Sequence, residues 1–137
     1  MVKPEAVLPR FRKLDEYFSI LEELRRYGRE EFLSDPEHYG SAERFLQLSI
    51  EALNDIGNHI VAEEDWGSVQ WYSDIPQRLH QQDVLDEELQ ECWIEMTGFR
   101  NVLVHDYVEL DRQRVYEILQ NRLEDLKAIR EALVALL

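Results

Sequence analysis

The chain has a single cysteine, Cys92, among its 137 residues. A lone thiol excludes an intramolecular disulfide and any multi-cysteine metal cluster, so a reducing cytoplasm is the expected setting. No run of about eighteen apolar residues occurs. The opening MVKPEAVLPRFRKLDEYF also lacks the unbroken apolar core of a signal peptide, so no membrane contact is expected. Basic residues are scarce, 15 against 29 acidic ones, which gives a formal charge of -14. That field opposes long-range attraction to nucleic acid or anionic lipid, so any RNA contact must be local. The same field favours a partner protein with a basic face.

Apolar side chains are plentiful. Hydrophobic residues make up 45% of the chain and charged residues 32%, enough to build one core in a single domain spanning residues 1–137. Phe11, Leu14, Phe18, Leu21 and Leu24 recur every three or four positions, which predicts one long helix over residues 9–33. SDPEHYGS then breaks the pattern, because Pro36 disfavours helical geometry before it. Ser41 is the expected N-cap of a second helix reaching Glu64, with Phe45, Leu46, Ile50, Leu53, Ile56 and Ile60 on its apolar face. A connector follows with one short helical turn over residues 76–81, pinned by Trp66, Trp71 and Tyr72. Asp86 and Asp111 are the expected caps of a third and a fourth helix. The third carries Leu89, Trp93, Met96 and Phe99; the fourth carries Val115, Ile118, Leu119, Leu126, Ile129, Leu133 and Leu136. The reading is all-α, a four- to five-helix up-and-down bundle.

RNVLVHDY, residues 100–107, concentrates polar chemistry. On a straight helix Arg100 and His105 lie about 140° apart around the axis. They converge only if the helix bends or ends between or just after them, and Gly98 before and HDYVELD after allow such an interruption. The bland alternative is a surface arginine, a hydrogen-bonded histidine at a helix end and a half-buried tyrosine.

The wider stretch MTGFRNVLVHDYVELD, residues 96–111, resembles the signature segment of the HepT toxins in the HEPN superfamily of all-α ribonucleases. That motif is Arg, a polar residue, several apolar positions, His, one more residue, then Tyr, and it falls here on Arg100, Asn101, His105 and Tyr107. RFLQLSIEALNDIGNHIVAE, residues 44–63, is similar to the family's second helix, and DRQRVYEIL to the start of its last.

The resemblance implies metal-independent cleavage of an RNA phosphodiester by the neighbouring 2'-hydroxyl, with no cofactor. Imidazole, with an unperturbed pKa of about 6.5, suits the proton transfer, which gives His105 the role of general acid or base. A guanidinium can meet two equatorial phosphoryl oxygens with parallel hydrogen bonds, which suits Arg100. Asn101 would orient the phosphate or the histidine. One histidine cannot take a proton and deliver one in the same step, and the family's homodimers place two motifs at one cleft. In the family the tyrosine matched by Tyr107 accepts AMP from the cognate antitoxin, a minimal nucleotidyltransferase called MntA. The added phosphates would block the site and neutralise the arginine.

Asn54 and Asn58, on the second helix with Asp55 and His59, either line the cleft behind Arg100 or contact RNA, or else make ordinary interhelical and solvent contacts. His59 and Glu63 have the spacing of a metal pair but no third ligand nearby. His38 and His80 fall in expected loops, and Cys92 lies near the third helix's apolar stripe as an inert thiol. RFRK, residues 10–13, and RRYGRE, residues 25–30, either hold RNA phosphates outside the cleft or form a solvated face. Two functions compete with the ribonuclease: a non-catalytic HEPN-like binding partner of a nucleotidyltransferase, and a plain helical dimerisation module.

Overall fold

Short polar side chains set where three of the helices begin. A computed structural model describes residues 2–105 and 111–137, apart from the side chain of His105. Six helices are formed among these residues: α1 (Pro4–Arg25), α2 (Arg29–Ser34), α3 (Pro36–Glu63), α4 (Asp74–Gln81), α5 (Glu87–His105) and α6 (Arg112–Val134). No strand is formed among the described residues. Asp111 caps α6 by accepting hydrogen bonds from the Gln113 and Arg114 amides at 3.0 and 3.4 Å. Asp86 accepts one from the Leu89 amide at 2.8 Å at the start of α5. Each satisfies amides that have no partner within the first turn.

Two expected boundaries are corrected. The first helix stops at Arg25, because Gly28 takes an extended conformation, φ -68° and ψ 164°. The chain then restarts as α2, which buries Phe32 completely. The second long helix begins at Pro36 rather than at Ser41. Asp35 is its N-cap, accepting from the Glu37 amide at 2.9 Å. Proline at the first helical position costs nothing, since its missing N–H would have had no partner there. His38 is consequently helical rather than in a loop, stacked on Tyr27 with ring centroids 3.7 Å apart. His80 likewise lies on α4, with Nδ1 2.8 Å from the Leu85 carbonyl.

The four long helices α1, α3, α5 and α6 form the bundle, and α3 packs on all three others. Val7, Phe11, Leu14, Phe18, Leu21 and Leu24 are the buried face of α1. Trp93, Met96 and Phe99 of α5 meet Leu119, Leu123 and Leu126 of α6 in one continuous core with Ile50, Leu53 and Ile56 of α3. The short α4 seals one end through buried Ile75 and Leu79. No helix among the described residues is long and apolar enough to cross a membrane.

The scarce cations are mostly spent on neighbouring acids. Arg25 bridges Glu22 and Glu124, Lys127 pairs with Glu22 and Glu124, and Arg130 grips Asp15 at 2.6 Å. Within the two basic clusters of the sequence, Arg10 pairs with Asp55, Lys13 with Glu16 and Arg26 with Glu23. The solvated-face reading of those clusters fits this pairing better than a phosphate track does.

Candidate functional site

The seam between α3 and α5 is a ladder of three rungs. At the first, Gly57 lies against the Trp93 indole so closely that a Cβ there would sit 2.8 Å from Cη2 of Trp93 and 2.6 Å from Cγ2 of Ile75. At the second, Asn54 Oδ1 accepts from Trp93 Nε1 at 2.8 Å and from Thr97 Oγ1 at 3.4 Å. At the third, Glu51 Oε1 accepts from Arg100 Nε at 3.1 Å and Nη2 at 2.9 Å. Glu51, Asn54 and Gly57 are three residues apart, and Trp93, Thr97 and Arg100 four and three apart, so each trio occupies one stripe of its helix. The buried lower rungs fix the helix register, and the register aims the arginine.

Arg100 Nη1 also donates to Asn101 Oδ1 at 3.2 Å. Of the five N–H donors of a guanidinium, three are therefore engaged, and one remains on each Nη. Those two are the donors suited to a pair of phosphoryl oxygens. Arg100 and Glu51 are 22% and 33% exposed, which places the pair at the mouth of the seam rather than inside it. A cavity of about 290 Å³ opens there, lined by Glu51, Asn54, Asp55, Tyr72 and Arg100.

The sequence-named residues divide. Arg100 and Asn101 stand together. Asn54 borders the cavity, but its oxygen is turned to Trp93 and Thr97, so it supports the helix seam rather than the guanidinium. Asn58 is exposed on α3 and is not among the cavity-lining residues. His59 has its Nε2 enclosed without a hydrogen-bond partner among the described residues. Tyr107 and the side chain of His105 lie outside the described residues. No helical interruption occurs at Gly98, since α5 runs unbroken through it to His105. Of the apolar residues that follow Asn101, Val102 is 39% exposed and Leu103 packs on the core.

Sequence reasoning missed Glu51 and the place of Tyr72. The signal for Glu51 was present as the matching periodicities of the two stripes, but only the pairing of α3 with α5 gives them a register. Cys92 is buried, and burial first, then the nearby Asp125 carboxylate, pushes its thiol up to about 12. It therefore stays protonated and unreactive near neutral pH.

A family model for ribonuclease HepT-like proteins matches residues 14–133 of the chain. The chain belongs to the ribonuclease HepT-like family. Within that family it is 34% identical to an mRNA nuclease HepT of Shewanella oneidensis over 90 residues, 66% of this chain and 68% of the relative. A tRNA nuclease HepT of Aphanizomenon flos-aquae is 27% identical over 115 residues, 84% of this chain and 78% of that protein. The fold is similar to a tri-AMPylated HEPN toxin of Shewanella oneidensis solved in complex with its MNT antitoxin. That likeness has a TM-score of 0.85 at 28% identity and covers 94% of this chain and 96% of the other. Residues 100–105 thus sit in a HepT-like fold, as the resemblance implied.

Proposed function

We propose that the chain is the toxin of a HEPN/MNT toxin–antitoxin pair and acts as a metal-independent endoribonuclease. The observation that carries this reading is the Arg100 guanidinium, held by Glu51 and Asn101 with one N–H left on each Nη at an open cavity. It stands in the Arg-x4-His segment of a HepT-like chain. The nuclease names of both relatives support the activity, though one is named for mRNA and the other for tRNA.

In the reaction, the 2'-hydroxyl oxygen bonds to phosphorus as the bond from phosphorus to the 5'-oxygen breaks. A neutral imidazole takes the 2'-hydroxyl proton, and an imidazolium returns one to the departing 5'-oxygen. Arg100 donates to the equatorial oxygens where negative charge builds. Positions 100 and 105 lie on one continuous helix, about 140° apart around its axis. That separation favours a homodimer, in which the two copies of His105 serve as base and acid over one phosphate. Tyr107 is the off switch, taking AMP from an MntA-type nucleotidyltransferase, which the tri-AMPylated relative supports.

The test is cleavage of RNA by purified wild-type protein beside His105→Ala and Arg100→Ala, with the product ends assayed for 2',3'-cyclic phosphate and growth followed on expression. The wild type should cleave and arrest growth, and both variants should remain folded but lose activity. Undiminished cleavage by His105→Ala overturns the assignment. A folded wild type that cleaves nothing, yet binds a nucleotidyltransferase, moves the chain to the non-catalytic partner reading.

A further inference from the structure

Trp71 and Tyr72 are 66% and 53% exposed, the most exposed rings among the described residues. The connector that carries them was expected to be pinned by its aromatics, but only Trp66 packs on the core. The other two rings are displayed on a backbone held by other means. Asp74 accepts hydrogen bonds from the Gln70 and Trp71 amides, both at 3.0 Å. Arg78 donates from Nε to the Ser68 carbonyl at 3.1 Å, and the Trp66 amide donates to the Val61 carbonyl at 3.0 Å. Gly67, at φ +121°, makes the turn in a conformation other residues rarely adopt, with the Arg78 side chain where a Cβ would stand. The amide donors also hold the Asp74 carboxyl below its usual range, Trp71 contributing most and Gln70 next. The loop is therefore built to present its rings without burying them.

Tyr72 shares the cavity with Arg100. The lining also carries the carboxylates of Glu51 and Asp55, the first paired with Arg100 and the second with Arg10, so Arg100 is the one cation among the lining residues that can hold a phosphate. What fits beside Tyr72 is an uncharged planar group attached to a phosphate, and a cavity of about 290 Å³ has room for it. Asp55, already accepting from Arg10 Nε at 3.2 Å, offers further acceptor capacity to an amino group on that planar edge.

We propose that Tyr72, with Trp71 beside it in the chain, is a base-stacking subsite for single-stranded RNA, seating the nucleobase next to the phosphate that Arg100 holds. This rests on the ribonuclease reading for the identity of the phosphate, but the stacking can be tested without cleavage. Bases present a π-face whatever their sequence, so the subsite sets affinity and position rather than a full sequence code. The Asp55 carboxylate adds a preference for bases with an amino group over uracil.

The test uses full-length protein and a single-stranded RNA of about a dozen nucleotides that it cleaves, together with an all-2'-deoxy copy that cannot be cleaved by 2'-hydroxyl attack. Tyr72→Ser should raise KM for the RNA about tenfold with kcat within about twofold. It should weaken binding of the deoxy copy by a similar factor, and Tyr72→Phe should restore both. Thermal melting that matches the wild type confirms that the exposed substitution leaves the fold intact. Unchanged KM and unchanged binding in Tyr72→Ser overturn the proposal while leaving the ribonuclease reading in place. Wild-type protein that cleaves nothing defeats that reading alone, since the deoxy-copy binding still decides the subsite. RNA binding that is unchanged while affinity for the nucleotidyltransferase falls also overturns the proposal and assigns the rings to protein docking.

Discussion

Glu51 Oε1 lies 3.1 Å from Nε and 2.9 Å from Nη2 of Arg100, so one carboxylate oxygen on α3 receives two donors from a guanidinium on α5. In the proposed reaction this holds the guanidinium that meets phosphate at one edge, with one N–H left on each Nη. The contact also joins the candidate site to the α3–α5 seam on which the bundle depends.

Glu51→Ala should separate those two roles. The pair is partly exposed, so its loss should lower stability by only about 1 kcal/mol, or about 4 °C in Tm. RNA cleavage should fall by about tenfold or more, because the freed guanidinium must be reoriented at each turnover. Glu51→Gln keeps an acceptor at the same place and should recover much of the activity. Steady-state kinetics beside a melting curve distinguish this from a purely structural loss, in which activity would follow the folded fraction.

Asn54→Ala should be more damaging to the fold than its polar character suggests. Trp93 is fully buried, and its indole N–H donates to Asn54 Oδ1 at 2.8 Å. Truncation strands that donor, at a cost of about 2 kcal/mol. Urea unfolding should show a lower midpoint with little change in slope. A second substitution, Trp93→Phe, removes the stranded donor. The two changes should therefore cost less together than the sum of their separate effects, apart from the packing lost with the indole.

Gly57→Ala should destabilise the chain even though alanine favours helix. The added methyl would approach Ile75 Cγ2 to 2.6 Å and Trp93 Cη2 to 2.8 Å. Overpacking of this kind costs about 1–3 kcal/mol, which outweighs a helix-propensity gain of about 1 kcal/mol. A melting temperature at or above wild type would show that α4 shifts aside without cost.

Cys92 should resist thiol reagents in the folded protein and react at once in denaturant. Its thiol is pushed up to about 12 in the folded state, by burial first and the Asp125 carboxylate next, against about 8.5 for a free cysteine. Between those values the unfolded chain has lost a proton that the folded chain keeps, so this residue's contribution to stability falls as pH rises. That contribution is fully present below about pH 8. Denaturant midpoints measured from neutral to alkaline pH should fall less steeply in Cys92→Ala than in the wild type. Equal slopes would refute the shift.

Much of the architecture was legible because apolar spacing reports which face of a helix is buried. Phe11 to Leu24, and Val115 to Leu133, are buried as their periodicity predicts. Asp86 and Asp111 cap as their chemistry suggests. The boundaries that were misread depended on competition between neighbours: Asp35 and Pro36 start a helix that Ser41 could also have started, and an extended Gly28 splits a stretch whose periodicity continues across it. Trp71 and Tyr72 were misread for a related reason. Large rings are usually buried to gain area, and nothing in the local pattern shows that hydrogen bonds already hold the loop.

By itself the sequence determined an all-helical chain, because short-range periodicity is written along it, and its stretch with Arg100, Asn101, His105 and Tyr107 carried the resemblance to the HepT toxins. Only the tertiary structure decided what surrounds Arg100. Glu51 is 49 positions away in sequence, and Tyr72 reaches the same cavity from the connector between α3 and α4. Helix register, set by the Gly57–Trp93 approach and the Asn54–Trp93 hydrogen bond, brings Glu51 to the arginine, and no local pattern encodes a register between two helices.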